Sequence, residues 1–278
     1  VSVTRFAPSP TGPLHLGHAY AALEAARLGT RFLLRIEDLD RARARPEWEA
    51  AIHEDLAWLG LSWEAPVMRQ SERQGAYDAA LDRLWARGWL YPCACRRRDV
   101  LEAAAPQEGA PLNGPDGVVY PGTCRPAPGA PRPGGPRPPG ALRLDVARAV
   151  AQPLTWREKG AARRITPAEF AARIGDVVVA RRDLGASYHL AVVVDDAAQG
   201  VTLVTRGADL AEATPIHVAL QRLLGLPTPA YHHHDLVRDP AGRRLAKRDD
   251  ARSLASYRAA GWSAEALRDR LSRSLIAP

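Results

Sequence analysis

Apolar positions along this chain recur in two rhythms, short nearly continuous runs and spacings of three and four, and each predicts a kind of element. Residues 1–6 read as a strand, 19–28 as a helix ended by Gly29, and Arg31-Phe32-Leu33-Leu34-Arg35-Ile36 as a second, largely apolar strand. Strand, helix and strand in so short a span is the βαβ pattern of a parallel sheet, so the expected fold class is α/β. Pro46 opens the next helix, whose apolar face is Trp48, Ile52, Leu56 and Leu59 and which Gly60 stops. Ser71 with Gln74 matches a capping box and predicts a helix that presents Tyr77, Leu81, Leu84 and Trp85 on one face and ends at Gly88.

The pattern breaks after Tyr91-Pro92-Cys93-Ala94-Cys95. A short polar helix is expected there, then a region over 106–140 dense in Pro and Gly, in which 130–139 holds too few apolar residues to pack. Ala141-Leu142-Arg143-Leu144-Asp145-Val146 restores strand alternation, and Thr166-Pro167-Ala168-Glu169 combines a cap, a proline at the first helical position and a reciprocal glutamate. Residues 176–180, 188–194 and 201–205 read as further apolar strands, the second closed by Asp195-Asp196 and the third by Arg206-Gly207-Ala208-Asp209. A helix burying Ile216, Leu220, Leu223 and Leu224 follows, and helices near 252–260 and 264–275 come last. The expected organisation is a parallel α/β domain in two parts, 1–92 and 176–240, split by an insertion over 93–175 and followed by a loop and helices over 241–278.

Composition narrows the class. A hydrophobic fraction of 46% is that of a globular protein, and 38 basic against 31 acidic residues leave a formal charge of +7. That balance fits a polyanionic partner such as nucleic acid, although an Arg/Ala-rich chain can also reflect a biased genome. There is no apolar run behind a basic start and no apolar stretch of membrane-spanning length, so a soluble, cytoplasmic protein without a membrane partner is expected. Three closely grouped cysteines point away from a disulfide framework and toward thiols or a metal. A monomer is expected from the size and the lack of an evident apolar partner surface.

Candidate chemistry gathers where strands end, the edge at which parallel sheets bind ligands. After the first strand, Arg5-Phe6-Ala7-Pro8-Ser9-Pro10-Thr11-Gly12-Pro13-Leu14-His15-Leu16-Gly17-His18 brings a turn, a helix N-terminus and two imidazoles to one point, which suits a polyphosphate; a tight loop entering a helix is the alternative. Glu37-Asp38-Leu39-Asp40 follows the second strand and offers carboxylates to an ammonium or a ribose, or is a solvated loop. Tyr231-His232-His233-His234-Asp235 is not a compact metal site, because neighbouring side chains on an extended backbone point to opposite sides. Gly242-Arg243-Arg244-Leu245-Ala246-Lys247-Arg248 concentrates positive charge in a short loop that calls for an anion. Cys93, Cys95 and Cys124 supply three soft ligands, enough for zinc once an oxygen or nitrogen completes a tetrahedron, or they are three free thiols.

Taken together in this order, the motifs resemble the class I glutamyl-tRNA synthetases, and most closely their short paralogous family that glutamylates queuosine in tRNA(Asp). His15-Leu16-Gly17-His18 is similar to the first class signature, His-x-Gly-His. Arg244-Leu245-Ala246-Lys247 is a degenerate match to the second, Lys-Met-Ser-Lys, with Arg for the first Lys and Ala where a hydroxyl usually sits. The likeness continues through Leu34-Arg35-Ile36-Glu37-Asp38-Leu39-Asp40, residues 188–196 and Val204-Thr205-Arg206-Gly207-Ala208-Asp209, covering essentially the whole chain. It implies a Rossmann-type parallel sheet with a small inserted zinc-containing subdomain and a C-terminal helical segment.

The resemblance also implies roles. Arg5 and Arg206 would receive the glutamate carboxylates, Ser9 and Glu37 would lie near its α-amino group, and Tyr188 would form a wall. Val192 stands where full-length glutamyl enzymes often carry Asn. His15, His18, Lys247 and Arg244 would stabilise the phosphates of ATP, which arrives with Mg²⁺, while Pro8, Gly17 and Leu245 line the nucleotide. Zinc would be held by Cys93, Cys95, Tyr120 and Cys124 in a structural role, in a subdomain over 93–175 that also meets the acceptor. Its arginines, Arg96, Arg97, Arg98, Arg125, Arg132 and Arg137, would touch RNA phosphate or simply face solvent. The expected reaction activates L-glutamate as its adenylate and passes it to queuosine-bearing tRNA(Asp), with release of AMP and pyrophosphate. Because the chain stops soon after its second signature, no anticodon-binding domain is expected. Competing readings are a truncated glutamyl-tRNA synthetase charging a 3′ end, a non-catalytic tRNA-binding module and a nucleotidyltransferase of the same fold.

Overall fold

The computed structural model describes residues 1–105, 110–131, 134–237 and 252–273. In chain order, β1 (Val3–Phe6), α1 (Leu16–Leu28), β2 (Arg31–Ile36), α2 (Pro46–Trp58) and β3 (Glu64–Arg69) come first. Next are α3 (Gln74–Ala86), β4 (Leu90–Pro92), α4 (Arg97–Ala103), β5 (Asn113–Gly114), β6 (Gly117–Val118), β7 (Leu142–Leu144) and α5 (Val146–Ala149). Then come β8 (Leu154–Glu158), β9 (Ala161–Ile165), α6 (Pro167–Arg173), β10 (Val178–Arg181), β11 (Gly185–Ala186) and α7 (Tyr188–Ala198). The order closes with β12 (Leu203–Gly207), α8 (Thr214–Leu224), β13 (Ala230–His234), α9 (Leu254–Ala259) and α10 (Ala264–Arg273). These elements form two compact units, one of Val1–Glu72, Gly200–Ala211 and Pro229–Pro278, the other of Arg73–Gln199 and Glu212–Thr228.

The first unit is built on parallel strands. β1 pairs with β2, β2 with β3, and β12 with β13, all in parallel. The Val3 N–H donates to Thr202 Oγ1 and the Val3 carbonyl accepts the Thr202 N–H, while Arg5 Nη1 donates to the Thr205 carbonyl three residues on. β12 therefore runs beside β1 in the same direction, and the carboxyl ends of these strands share one edge. Every residue of β1 is buried, as is β2 from Phe32 onward. Leu16, Ala19, Ala22 and Ala25 of α1 pack with Leu34, Ile36, Ile52, Leu56, Leu254 and Leu267 in one core. Each fully buried Leu or Ile there contributes about 1.5–3 kcal/mol. Gly29 is needed at the joint from α1 to β2, because a Cβ would collide with Thr4 Oγ1, whose hydroxyl donates to the Ala25 carbonyl at 2.7 Å.

Two features of this unit depart from the sequence pattern. β3 is an element the pattern did not show, because Glu64-Ala65-Pro66-Val67-Met68-Arg69 lacks alternation and its proline is tolerated only at an edge. The Ser71 capping box does not form: α3 is capped at Arg73 without a side-chain bond. Asp38 outcompetes the helix for Ser71, accepting both its N–H at 2.8 Å and its hydroxyl at 2.6 Å.

The second unit holds an antiparallel sheet in the order β11-β10-β7-β4. α6 begins as expected, with Thr166 Oγ1 accepting the Glu169 N–H and the Glu169 carboxylate accepting the Thr166 N–H. Residues 188–194, expected as a strand, are instead the helix α7. A run of valines fits a buried strand or a buried helix equally well by pattern, and Ser187 decides it by accepting the Leu190 N–H into its side chain. Burial on several faces, at Leu190, Ala191, Val192 and Val193, removes the amphipathic signal. The apolar-poor loop over 134–140 is tied down by polar contacts: Arg137 bridges Asp78 and Asp82 of α3 at 2.8 and 2.7 Å, and Trp85 Nε1 donates to the Gly135 carbonyl. No helix among the described residues is long and apolar enough to cross a membrane.

Candidate functional site

The carboxyl edge of the parallel strands carries the first cluster. His15 caps α1 with its side chain, Nδ1 accepting the Gly17 N–H at 3.1 Å, and His18 Nδ1 accepts the His15 N–H at 3.2 Å. The two rings lie 3.8 Å apart between centroids. Since each Nδ1 is an acceptor, the neutral rings carry their hydrogen on Nε2, which fixes the tautomer and makes each Nε2 a donor. The helix N-terminus adds partial positive charge at the same place, a combination suited to phosphate oxygens.

Arg5 and Arg206 stand on neighbouring strands, buried to 5% and 6% exposure. Arg5 Nη1 donates to the Thr205 carbonyl at 3.1 Å, and Arg206 Nε donates to His233 Nε2 at 3.1 Å. Both guanidiniums are thus oriented by neutral acceptors, and Arg206 also lies 5.4 Å from the Tyr231 ring centroid. Planar guanidinium forks at a ligand edge suit the bidentate geometry of a carboxylate. At the end of β2, the Glu37 N–H donates to the Pro8 carbonyl at 3.0 Å, which joins the two loops, and its carboxylate accepts Arg35 Nη2 at 3.2 Å. Asp38 is engaged by Ser71 and Asp40 by Arg43, while Glu37 is fixed by its main-chain bond to Pro8 as well as by Arg35. Ser9 is exposed in the loop after β1, where Pro8 is buried, and Gly17 lies in the first turn of α1.

Tyr188 belongs to the second unit, where it begins α7 and its ring packs edge-on to His189 and His217. Arg244, Leu245 and Lys247 lie outside the described residues. Among residues that sequence reasoning assigned no role, His233 orients Arg206. Period-two alternation along β13 was the one available signal, since it sends His232 and His234 to the other side.

The second cluster is in the second unit. The sulfurs of Cys93, Cys95 and Cys124 all lie within 4.8 Å of one another. The Tyr120 hydroxyl is 3.6 Å from Cys93 Sγ and 3.4 Å from Cys95 Sγ, and it accepts the Cys124 N–H at 2.8 Å. Three thiols and a phenol converging on one point fit a four-coordinate zinc, whose Zn–S bonds of about 2.3 Å bring such sulfurs this close. The hydrogen bond from Tyr120 lowers the Cys124 thiol to about 7, whereas burial pushes Tyr120 up, so a phenolate there needs a cation beside it. Arg143 packs against the cluster: its guanidinium lies 3.7 Å from the Tyr120 ring centroid, and its Nε donates to Cys93 Sγ at 3.3 Å. Asp176 braces the surround, accepting from Arg125 Nε at 2.6 Å, from the Tyr91 hydroxyl and from the Val146 N–H. Arg125 and Arg137 are therefore engaged by carboxylates of the fold, and Arg98 pairs with Glu102. Arg132 lies outside the described residues.

Comparison with known proteins follows the same lines. Residues 2–128 and 135–278 match the family model of class I tRNA synthetases (E and Q), catalytic domain. A Glutamyl-Q tRNA(Asp) synthetase of Rhodobacter capsulatus is 61% identical over 94% of this chain and 96% of that protein. One of Geobacter sulfurreducens is 45% identical over 92% of this chain and 78% of that protein. Among solved structures, a glutamate tRNA ligase from Elizabethkingia meningosepticum in complex with its amino acid superposes with a TM-score of 0.74 at 26% identity. That match covers 98% of this chain, which spans 60% of the ligase chain. A methionyl-tRNA synthetase of Mycobacterium tuberculosis, 11% identical with a TM-score of 0.61, shares the fold. The α/β architecture with its parallel strands is the class I synthetase catalytic fold, and the chain belongs to the class I tRNA synthetases (E and Q).

Proposed function

We propose that the chain activates L-glutamate with ATP and transfers the glutamyl group to the cyclopentenediol of queuosine in tRNA(Asp). The observation that carries the amino-acid assignment is the buried pair Arg5 and Arg206 on neighbouring parallel strands, with Glu37 following the end of β2, two guanidiniums for two carboxylates and one carboxylate for an ammonium. Ser9 and Tyr188 complete the grip on the amino acid. The acceptor assignment is supported by the curated relatives' names, which specify tRNA(Asp) and its Q nucleoside.

In the first step an oxygen of the glutamate α-carboxylate attacks the α-phosphorus of ATP, and pyrophosphate leaves from the opposite side. Charge develops on phosphate oxygens, so donors placed in advance and in-line positioning provide the acceleration. His15 and His18 donate from Nε2, the α1 N-terminus adds its dipole, and Lys247 with Arg244 holds the departing phosphates. Pro8, Gly17 and Leu245 shape the nucleotide site, where the lack of a side chain at Gly17 admits adenosine to the backbone. Mg²⁺ arriving with ATP neutralises phosphate charge. In the second step a diol oxygen of queuosine attacks the activated carbonyl, its proton is lost, and AMP departs. Cys93, Cys95, Tyr120 and Cys124 would hold a structural zinc, which would fasten together the loops that carry them in the inserted subdomain over 93–175. The cytoplasm, where tRNA is modified, is the setting this function requires.

Glutamate-dependent exchange of labelled pyrophosphate into ATP tests the first step. Lys247→Ala is expected to lower the exchange rate by about 100-fold or more, the usual cost of removing a charge that stabilises the transition state. Exchange that is unchanged in that variant would overturn the assignment. The altered second signature, Arg244 and Ala246, favours one rival, a tRNA-binding module without catalysis, and that rival expects no exchange at all.

A further inference from the structure

We propose that the outer face of the β8–β9 hairpin is a docking surface for the phosphate backbone of the tRNA substrate. The proposal deepens the functional reading above and rests on tRNA being the acceptor. The antiparallel register pairs Leu154 with Ile165, Thr155 with Arg164, Trp156 with Arg163, Arg157 with Ala162 and Glu158 with Ala161. Cross-strand partners share a face, so Leu154, Trp156, Glu158 and Ile165 lie on one side, and Leu154 and Ile165 are buried there. The other side carries Thr155, Arg157, Ala162 and Arg164, all exposed. It holds two guanidiniums and no carboxylate.

The turn between the strands extends that charge. Lys159 has φ +47, the one positive φ outside glycine among the described residues, followed by Gly160 at φ +80. Two-residue hairpin turns of this kind are normally filled by Asn or Gly, because a longer side chain is strained there. A Cβ added at Gly160 would meet nothing within 4 Å, so the tip stands clear of the fold. Strain retained at an exposed tip, in exchange for an ammonium, points to a contact outside the chain.

Several other arginines of this unit are neutralised internally. Arg125 meets Asp176, Arg137 meets Asp78 and Asp82, Arg98 meets Glu102, and Arg163 on the inner side of the hairpin meets Glu158 at 3.8 Å. Among the described residues, Arg157 reaches only the Gly160 carbonyl, at 3.4 Å. The carboxylate that feels Arg164 is Glu169, which is already committed to the N–H and hydroxyl of Thr166. A flat ribbon with three exposed cations and no acid on that face is complementary to a polyphosphate, and polyphosphate backbone contacts position an RNA without reading its bases.

The test compares the unaltered chain with Arg157→Glu/Arg164→Glu and with Lys159→Asn. Filter binding of tRNA(Asp) at two salt concentrations and glutamate-dependent ATP–pyrophosphate exchange are the readouts. The double variant is expected to keep its exchange activity, which also shows that it folds. It should raise the tRNA Kd by about 10-fold or more and reduce the slope of log K against log salt by about two, in equal measure for tRNA with and without queuosine. Lys159→Asn relieves the turn, so it should raise the Tm while weakening tRNA binding a few-fold, a pair of effects that a purely structural lysine would not produce. An unchanged Kd and salt slope in the double variant would overturn the proposal. If the unaltered chain shows no glutamate-dependent exchange, the catalytic reading fails, and the binding comparison still decides the surface.

Discussion

Arg206 shows how much of the site depends on one side chain and its support. His233 accepts its Nε–H at 3.1 Å and so orients the planar guanidinium that is proposed to meet a glutamate carboxylate. Arg206→Lys keeps the charge and loses the fork, so the KM for glutamate is expected to rise about 10- to 100-fold, the equivalent of one or two charge-assisted hydrogen bonds. Steady-state exchange kinetics against glutamate concentration would check this, and a KM within about twofold of the parent would remove Arg206 from the binding role. Arg5 and Arg206 were marked in the sequence by their motifs, but their supports were not. Arg5 bonds to a carbonyl 200 residues away, and no local pattern encodes a pairing of that span. His233 was hidden for another reason: three histidines in a row invite a metal reading, and only the strand geometry separates their directions.

Asp55 is a residue whose cost is electrostatic. It is buried on α2, its Oδ1 lacks a hydrogen bond, and Arg258 Nη1 of α9 stands 3.5 Å away beside Glu54. Burial outweighs the arginine and raises the carboxyl to about 6. The folded chain therefore holds this proton more tightly than the unfolded one, a contribution to stability that is full below about pH 4 and is lost as pH rises through about 6. Asp55→Asn is expected to be more stable than the parent by about 1–3 kcal/mol at pH 8, with the gap closing toward pH 4. Urea unfolding across that range measures it. A variant less stable at pH 8 would mean that the pair with Arg258 outweighs burial.

At the scale of elements, legibility followed periodicity. β1, α1, β2, α2 and α6 were readable because capping residues, prolines and apolar spacing agreed with one another. α7 was not, because a helix buried on most of its faces has no amphipathic stripe and its valines argue for a strand. β3 was not, because an edge strand has no need to alternate. The cysteine loop is an element of a different kind, in which the Cys93, Cys95 and Cys124 sulfurs and the Tyr120 hydroxyl converge. Purified protein is expected to contain about one zinc per chain, and Cys124→Ser should lose it along with protease resistance around residues 93–128. Elemental analysis with limited proteolysis would decide; full zinc in Cys124→Ser would contradict the ligand set.

At the scale of the whole molecule, each unit carries its own chemistry. The first unit places the His15/His18 helix and the Arg5/Arg206 pair on one strand edge, and the second holds the cysteine cluster and Tyr188. The sequence order of the motifs foretold the family, while the grouping of α3, α7 and α8 into one unit could not be read from it, because that grouping depends on contacts such as Tyr77 with Asp195 and Arg83 with the Leu224 carbonyl. The excess of seven positive charges is consistent with an RNA substrate without identifying it.

The acceptor of the glutamyl group defines the function. The deciding measurement is transfer of labelled glutamate to purified tRNA(Asp), prepared with and without queuosine, in parallel with samples whose 3′-terminal adenosine has been removed. Transfer to queuosine predicts label that requires queuosine and persists after removal of the 3′ end. Label that follows the 3′ end and ignores queuosine would contradict it, and would make the chain a compact aminoacyl-tRNA synthetase that shares only the adenylation step.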